Sequence, residues 1–453
     1  MKRRNLLKVL STASVMGLAT QSAVDPLHAA ETASKGLPRL KVTDVKVITT
    51  QVGGNHLTNV KVLTSEPGLY GVGCGTHAER QLIVAETIDK FLKPMLVGRY
   101  VDEIEKFWQI AWVAPYWRAS VDSNNAMSAL DGALWDIMGK RAGMPVYDLL
   151  GGKVREGCRM FANCGGRSMQ ALEDSIRKAM EDGFQHVRIS PVSANSGGPG
   201  GGGRGAAGAS GGVRGGLPGE GESGAPGGLR ETDGEYIAAL SASFDHIRKT
   251  IGGAIEIGTD VHERLTPGGA LRCAKAVDQY SPFYMEDLFA PEDSAWYQRV
   301  REQTGIQIAM GELFVNQNEW LPLVANRWID FIRMHISAAG GLNLARKVAH
   351  TCEFFGVRTS WHGPPNVSPV GHMVNLQLDL SLINFGIGEG GAFSDQMKEL
   401  FPGTPELRKG VRYASDKPGL GIDIDEKIAA KYPVTTPGSN REANDSEGAP
   451  RRP

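Results

Sequence analysis

The sequence of 453 residues carries almost no net charge, with 49 lysines and arginines against 50 aspartates and glutamates. Neither sign is in excess, so nothing marks a nucleic-acid partner or an electrostatically held membrane surface. Cysteine is scarce: Cys74, Cys158, Cys164, Cys273 and Cys352 are scattered, odd in number and without metal-ligand spacing. They read as reduced, buried thiols rather than a disulfide framework. Long apolar runs are missing too. The mildly apolar stretch 9–20 is too short and too polar to span a bilayer, so no membrane insertion is expected. Residues 191–228 are mostly Gly, Ala, Ser and Pro, with no aromatic and only isolated larger aliphatics. Such a segment cannot bury enough apolar surface to offset the entropy of ordering and is expected to be a disordered loop. Without an aromatic or a general base it reads as an inert insertion rather than a lid.

What is present begins with Lys2-Arg3-Arg4-Asn5, a short apolar core, and small residues up to Ala29-Ala30. This pattern resembles a twin-arginine export signal over residues 1–30, which implies a periplasmic or otherwise exported protein. Residues 40–50, 59–64 and 68–73 alternate or follow turns as a three-stranded antiparallel meander would. Residues 126–142 form a helical pattern with Leu130, Leu134, Ile137 and Met138 on one face, stopped at Gly143-Met144-Pro145. An α+β domain over 38–155 is therefore expected.

Beyond it, three apolar runs each end on an acid: Asp260, Glu286 and Glu312, spaced 26 residues apart both times. A period of that size fits one strand plus one helix of a β/α barrel, whose strand ends share one mouth. Three converging carboxylates repel one another unless a cation sits among them, and all-oxygen ligands suit Mg²⁺. Further strand-like runs follow at 331–335, 358–362 and 383–389, with strands one and two at 159–162 and 186–189. The barrel is expected over 156–400, a C-terminal segment over 401–432, and a disordered tail over 433–453. Residues two apart on a strand share a face, so Asp260 pairs with His262, and Arg333 with His335.

Several motifs sharpen this. Asp260-Val261-His262-Glu263-Arg264, Met285-Glu286-Asp287, Gly311-Glu312, Ala339-Gly340-Gly341 and Trp361-His362-Gly363-Pro364 are similar to the enolase superfamily, in its mandelate racemase/muconate lactonizing group. With Pro115-Tyr116-Trp117-Arg118 and Pro418-Gly419-Leu420-Gly421 they resemble the mannonate dehydratase branch. The resemblance implies an α/β fold, a modified (β/α)7β TIM barrel with an N-terminal α+β capping domain. It implies Mg²⁺ held by Asp260, Glu286 and Glu312, a small-molecule carboxylate substrate, and dehydration of a sugar acid with His262 as general acid. It places Asn55, Arg188, Arg333, His362 and Glu389 around the substrate, with Arg188 beside the proton-abstraction step. The branch's loop tyrosine is absent after Arg188, and Tyr236 lies in the next helix. An efficient mannonate dehydratase is therefore not expected, and imidazole is left as the best-suited base, here His362. Racemisation or epimerisation of the same substrate class and metal-assisted binding without turnover stay open as alternatives. Self-association into a homo-oligomer is expected.

Overall fold

In the computed structural model the described residues are 38–451, apart from 78, 193–227, 230, 437–442 and 445–448. The export-signal stretch and nearly all of the glycine-rich segment lie outside them. Residues from Leu40 onward form one compact unit. None of the described helices is long and apolar enough to cross a membrane.

The capping domain is the expected meander: β1 (Val42–Val52), β2 (Asn55–Thr64) and β3 (Tyr70–Cys74), antiparallel throughout. Against it lies the helix Val121–Ala142, ended by Gly143 in the left-handed conformation at φ 68°. The approach is close: a Cβ on Gly73 would stand 1.8 Å from the carbonyl oxygen of Ala129. The one-sided helix read from the sequence is in fact buried nearly all round, because the meander covers one side and the barrel the other. Its buried polar residues are the fastenings. Asn124 Nδ2 donates to the carbonyls of Val315 (2.9 Å) and Ala338 (2.7 Å), and Asp131 accepts from Asn343 N. Asp136 accepts from the backbone N–H groups of Val72 and Leu420. Two of these bonds hold the chain just beyond barrel strands five and six, so the cap fixes loops that carry the site.

The barrel strands are β4 (Cys158–Cys164), β5 (His186–Ile189), β7 (Glu256–Asp260), β8 (Met285–Glu286), β9 (Ile308–Met310), β10 (Phe331–Ile332), β11 (Arg358–Thr359) and β12 (Gly388–Glu389). All pair in parallel, in the order β4-β5-β7-β8-β9-β10-β11. β12 closes the ring by pairing with β4, and a bridge from Phe385 to Thr359 joins the approach to β12 with β11. Helices of eight residues or more follow each of the first seven strands, while β12 is followed by the short Asp395–Leu400. That is the (β/α)7β arrangement. Several strands pair over only two residues, but their ladders continue as single bonds, such as His362 N to Met334 O at 3.1 Å. Inside the barrel Phe161, Tyr284, Ala309, Phe331 and Ile387 form a buried cluster of their own, three of them aromatic. All five cysteines are buried and unpaired.

After β12, the hairpin β13 (Glu406–Arg408) and β14 (Val411–Tyr413) pairs with the start of β4, and the chain then returns to the cap. The tail read as disordered from 433 is tied down over its first residues. Thr435 N and Oγ1 donate to Gln51 Oε1, and Thr436 Oγ1 lies 2.8 Å from His56 Nε2, so side chains satisfy this backbone without a core. Further on, β15 (Ala443–Asn444) pairs with β16 (Pro450–Arg451) and in parallel with β6 (Gly228–Leu229), at the end of the glycine-rich segment. Backbone pairing needs no apolar side chains, which is why composition did not show it.

Candidate active site

The floor of the site is aromatic. Two buried guanidiniums lie over the Phe161 ring, Arg188 at 5.0 Å and Arg333 at 5.7 Å from its centroid. Each arginine sits at or just past a strand end, and together they link two buried glutamates into a closed ring of charge. Arg188 Nη1 donates to Glu286 Oε2 (2.7 Å) and Nη2 to Glu389 Oε1 (2.9 Å). Arg333 Nε donates to Glu286 Oε1, and its Nη2 to Glu389 Oε2 (2.6 Å). Asn163, on β4, accepts from Arg188 Nε at 2.9 Å. Burial opposes the Glu389 charge, but Arg333 and Arg188 hold its carboxyl well below the usual range.

The acids lie just above. Asp260 and Glu286 are direct partners across β7 and β8, as the spacing implied. Glu312 is not level with them. Glu286 faces Ala309 across β8 and β9, and Gly311, at φ 134°, turns the chain before Glu312 is reached. The acids whose oxygens gather within 4.8 Å of one another are Glu286, Glu312 and Asp287, a residue the sequence reading quoted in a motif and gave no role. Its signal was its place directly after a strand-end acid. Asp287 sits at φ 42° and accepts from Gly311 N at 3.2 Å, so it also pins the turn that presents Glu312. Asp260 stands apart from that gathering, with Oδ2 3.5 Å from Arg188 Nη1 and Oδ1 buried without a hydrogen-bond partner. Burial pushes the Glu286 carboxyl up to about 7 against the pull of Arg188 and Arg333. Burial, with the charges of Glu312 and Glu286, drives Asp287 well above its ordinary value. These are groups strained by mutual repulsion in a dry site. Their hard oxygens and the orphaned Asp260 Oδ1 fit a divalent cation of the Mg²⁺ kind.

Two imidazoles face Glu312, one on each oxygen. His262 Nε2 is 3.4 Å from Oε1, and His362 Nε2 is 3.2 Å from Oε2. Each keeps about 15% of its side chain exposed toward the mouth. Burial works against the His262 imidazolium, but the bond to Glu312 and the charge of Asp260 carry it up to about 10. Burial moves His362 the other way, below its ordinary value, with only partial opposition from Glu312. Glu312 itself is held ionised, since its histidine neighbours outweigh its burial. His335 lies behind His362, its Nδ1 3.0 Å from the other Nδ1.

Two further residues lie outside this network of described contacts. Asn55 opens β2 at the hairpin tip, beside the docked tail, and the described contacts do not join it to the barrel acids. Tyr236 is buried, and its hydroxyl donates to the backbone carbonyl of Asp260 at 3.3 Å. Burial pushes its hydroxyl far above the usual phenol value, so it supports β7 and does not replace the missing loop tyrosine.

Residues 36–151 match the N-terminal domain of mandelate racemase/muconate lactonizing enzymes, and residues 171–428 match the enolase C-terminal domain-like family. The chain belongs to the enolase superfamily, in its mandelate racemase/muconate lactonizing group. It is 47% identical over 394 residues to a D-galactonate dehydratase family member of Salmonella enteritidis, covering 87% of this chain and 94% of that one. A second such family member, from Musicola paradisiaca, is 45% identical, covering 88% and 95%. Among solved structures, an enolase from Pantoea ananatis with bound D-gluconate and Mg superposes with a TM-score of 0.84 at 42% identity. That likeness covers 91% of this chain and all of the other. The narrower resemblance to mannonate dehydratases rests on the motifs alone.

Proposed function

We propose that this protein is a Mg²⁺-dependent dehydratase of a sugar acid, with Asp260, Glu286 and Glu312 as the metal ligands and Asp287 beside them. The observation that carries the reading is the convergence of His262 and His362 on the two oxygens of Glu312, next to an acid cluster that calls for a cation. The names of the relatives and the gluconate and Mg held by the Pantoea structure support the substrate class and the metal. A bound Mg²⁺ would supply a Lewis acid for the negative charge that develops on the substrate carboxylate. The residues of the chain divide the remaining work. His362, kept neutral by burial, takes the proton α to the carboxylate. His262 gives one to the departing 3-hydroxyl, each imidazole standing against its own oxygen of Glu312. Arg188, Arg333 and Glu389 bound the substrate from below.

The test is an NMR assay of the Mg²⁺-loaded protein with D-gluconate and D-galactonate in D₂O. Loss of the α-proton signal and formation of a 2-keto-3-deoxy acid are expected. His262→Asn should keep α-exchange and stop elimination. Exchange with inversion and no loss of water would make it an epimerase, and tight binding without exchange a carboxylate-binding protein. We further propose export through the twin-arginine-type start, supported by its sequence pattern and tested by fractionation of a tagged chain. Self-association is supported by exposed Phe91, Tyr116 and Trp117 and is tested by light scattering.

A further inference from the structure

The hairpin that follows the barrel sends one buried side chain back toward the mouth. Arg412 on β14 pairs with Cys158 at the start of β4, three residues before the Phe161 that pairs with Glu389 of β12. Its Nη1 donates to the carbonyl of Glu389 (3.4 Å) and to His372 Nδ1 (3.0 Å), and its Nη2 to the carbonyl of Gly391 (2.7 Å). The described bonds of this guanidinium all go to neutral groups, so it does not serve as half of an ion pair. His372 lies on the helix Pro369–Ser381 and is as deeply buried as Arg412. An arginine can only donate, so His372 Nδ1 is bare and the one ring proton of the neutral imidazole sits on Nε2. From there it reaches the carbonyl of Pro364, 3.1 Å from Nε2. Burial and the charge of Arg412 push the imidazole down to about 3, which keeps it neutral. Both groups rest against Phe393, the guanidinium 5.2 Å and the imidazole 5.0 Å from its ring centroid.

The relay from Arg412 through His372 to Pro364 joins the loop after β11 to the loop after β12. Pro364 stands just past His362, and Gly363 N, between them, donates to Glu389 Oε2 at 2.9 Å. The loop of His362 is thus held on Glu389 by one residue and on His372 by the next, while Arg412 holds the backbone of Glu389 and Gly391. The two loops leave room for the relay where it passes. A Cβ on Gly390, at φ 123°, would stand 2.8 Å from Arg412 Nη2, and one on Gly363 would stand 3.2 Å from His372 Cε1. We infer that Arg412 and His372 form a strut by which the C-terminal hairpin sets the position of His362 against Glu389, both acting as positioning residues. The inference rests on the dehydratase reading above, in which His362 takes the α-proton and Glu389 bounds the substrate. The strut acts through the backbone of Pro364, Glu389 and Gly391, and a displacement of about 1 Å in a reacting group costs up to about 100-fold in rate.

Three variants of the full, Mg²⁺-saturated chain separate positioning from packing. Arg412→Met removes every donor of the strut. His372→Leu keeps bulk and breaks the relay while leaving Arg412 on Glu389 and Gly391. His372→Gln carries an acceptor and a donor on neighbouring atoms and restores the relay. Long-range ¹H–¹⁵N correlation of the native protein, ¹⁵N-labelled at histidine, should place the His372 proton on Nε2. Hydrogen exchange read by mass spectrometry should quicken over residues 361–366 and 388–393 in Arg412→Met and His372→Leu, and stay native there in His372→Gln. With D-gluconate and D-galactonate, His372→Leu should lose at least about tenfold in kcat with KM within about threefold, and His372→Gln should return to within about threefold of native. If Arg412→Met does not fold, the two His372 variants decide alone. A His372 proton on Nδ1, native loop exchange or native kcat in His372→Leu, or a His372→Gln as slow as His372→Leu overturns the inference. If the native protein exchanges no α-proton with any acid sugar, the dehydratase reading fails, and the ring proton and the loop exchange still decide the strut.

Discussion

Replacing Arg333 with Met tests whether the ring of charge is a structural necessity. In the native protein the buried set of Arg188, Arg333, Glu286 and Glu389 is neutral. The substitution removes the donor to Glu286 Oε1 and one of the two donors to Glu389 Oε2, leaving Gly363 N at 2.9 Å on the latter. Two wholly buried glutamates would then share Arg188, with one charge uncompensated. Breaking a buried pair from one side costs about 3–5 kcal/mol. At ~2.1 cal/mol/K per residue, roughly 400 residues have an unfolding entropy of about 0.8 kcal/mol/K, so Tm should fall by about 4–6 °C at pH 7. The pH dependence has a definite sign. Native Glu389 is held below the ordinary carboxylate value, so its contribution is present above the unfolded value of about 4.3 and is lost only as pH falls through the lower folded value. In the variant, burial is less opposed and both glutamates take up protons more readily, so the deficit should shrink between pH 7 and pH 5. Adding Glu389→Gln removes the stranded charge and should recover at least about 1 kcal/mol, a coupling normal for groups in contact. Calorimetric scans of the three proteins at both pH values decide it. A single variant within about 1 °C of native at pH 7, or a deficit that widens toward pH 5, refutes the reasoning.

Asp260→Asn should weaken Mg²⁺ binding by at least about tenfold, or about 1.4 kcal/mol, in isothermal calorimetry while moving Tm by no more than about 1 °C. It is a cleaner probe than Glu286→Gln, because Asp260 Oδ1 has no partner to lose whereas Glu286 is bonded to two arginines. Unchanged affinity would remove Asp260 from the ligand set. Gly73→Ala should lower stability by about 1–3 kcal/mol, the cost of overpacking, because its Cβ would meet the Ala129 carbonyl at 1.8 Å. A native Tm in that variant would show that the sheet and helix can part without cost.

How far the site was legible depends on which kind of distance governed each contact. A spacing of 26 residues reports one strand-plus-helix unit of the barrel, so Asp260 and Glu286 were correctly placed side by side at neighbouring strand ends. The same spacing brought Glu312 to the mouth beside Glu286 but not level with it, because sequence distance counts residues while the mouth counts register. Glu286 pairs with Ala309, and the three residues left over are spent in a turn at Gly311. Asp287 was missed for a related reason: a left-handed residue directly after a strand departs from the alternation that would have turned it away from Glu286. The arginine ring could not be read at all. Arg188 meets Glu286 and Glu389 from 98 and 201 residues away, and no local pattern records such a pairing. The two histidines are the intermediate case. Nothing local links 335 with 362, yet once adjacent strands are aligned their equal offsets of three force them together. Periodicity thus delivers the strand ends, and register decides which of them touch.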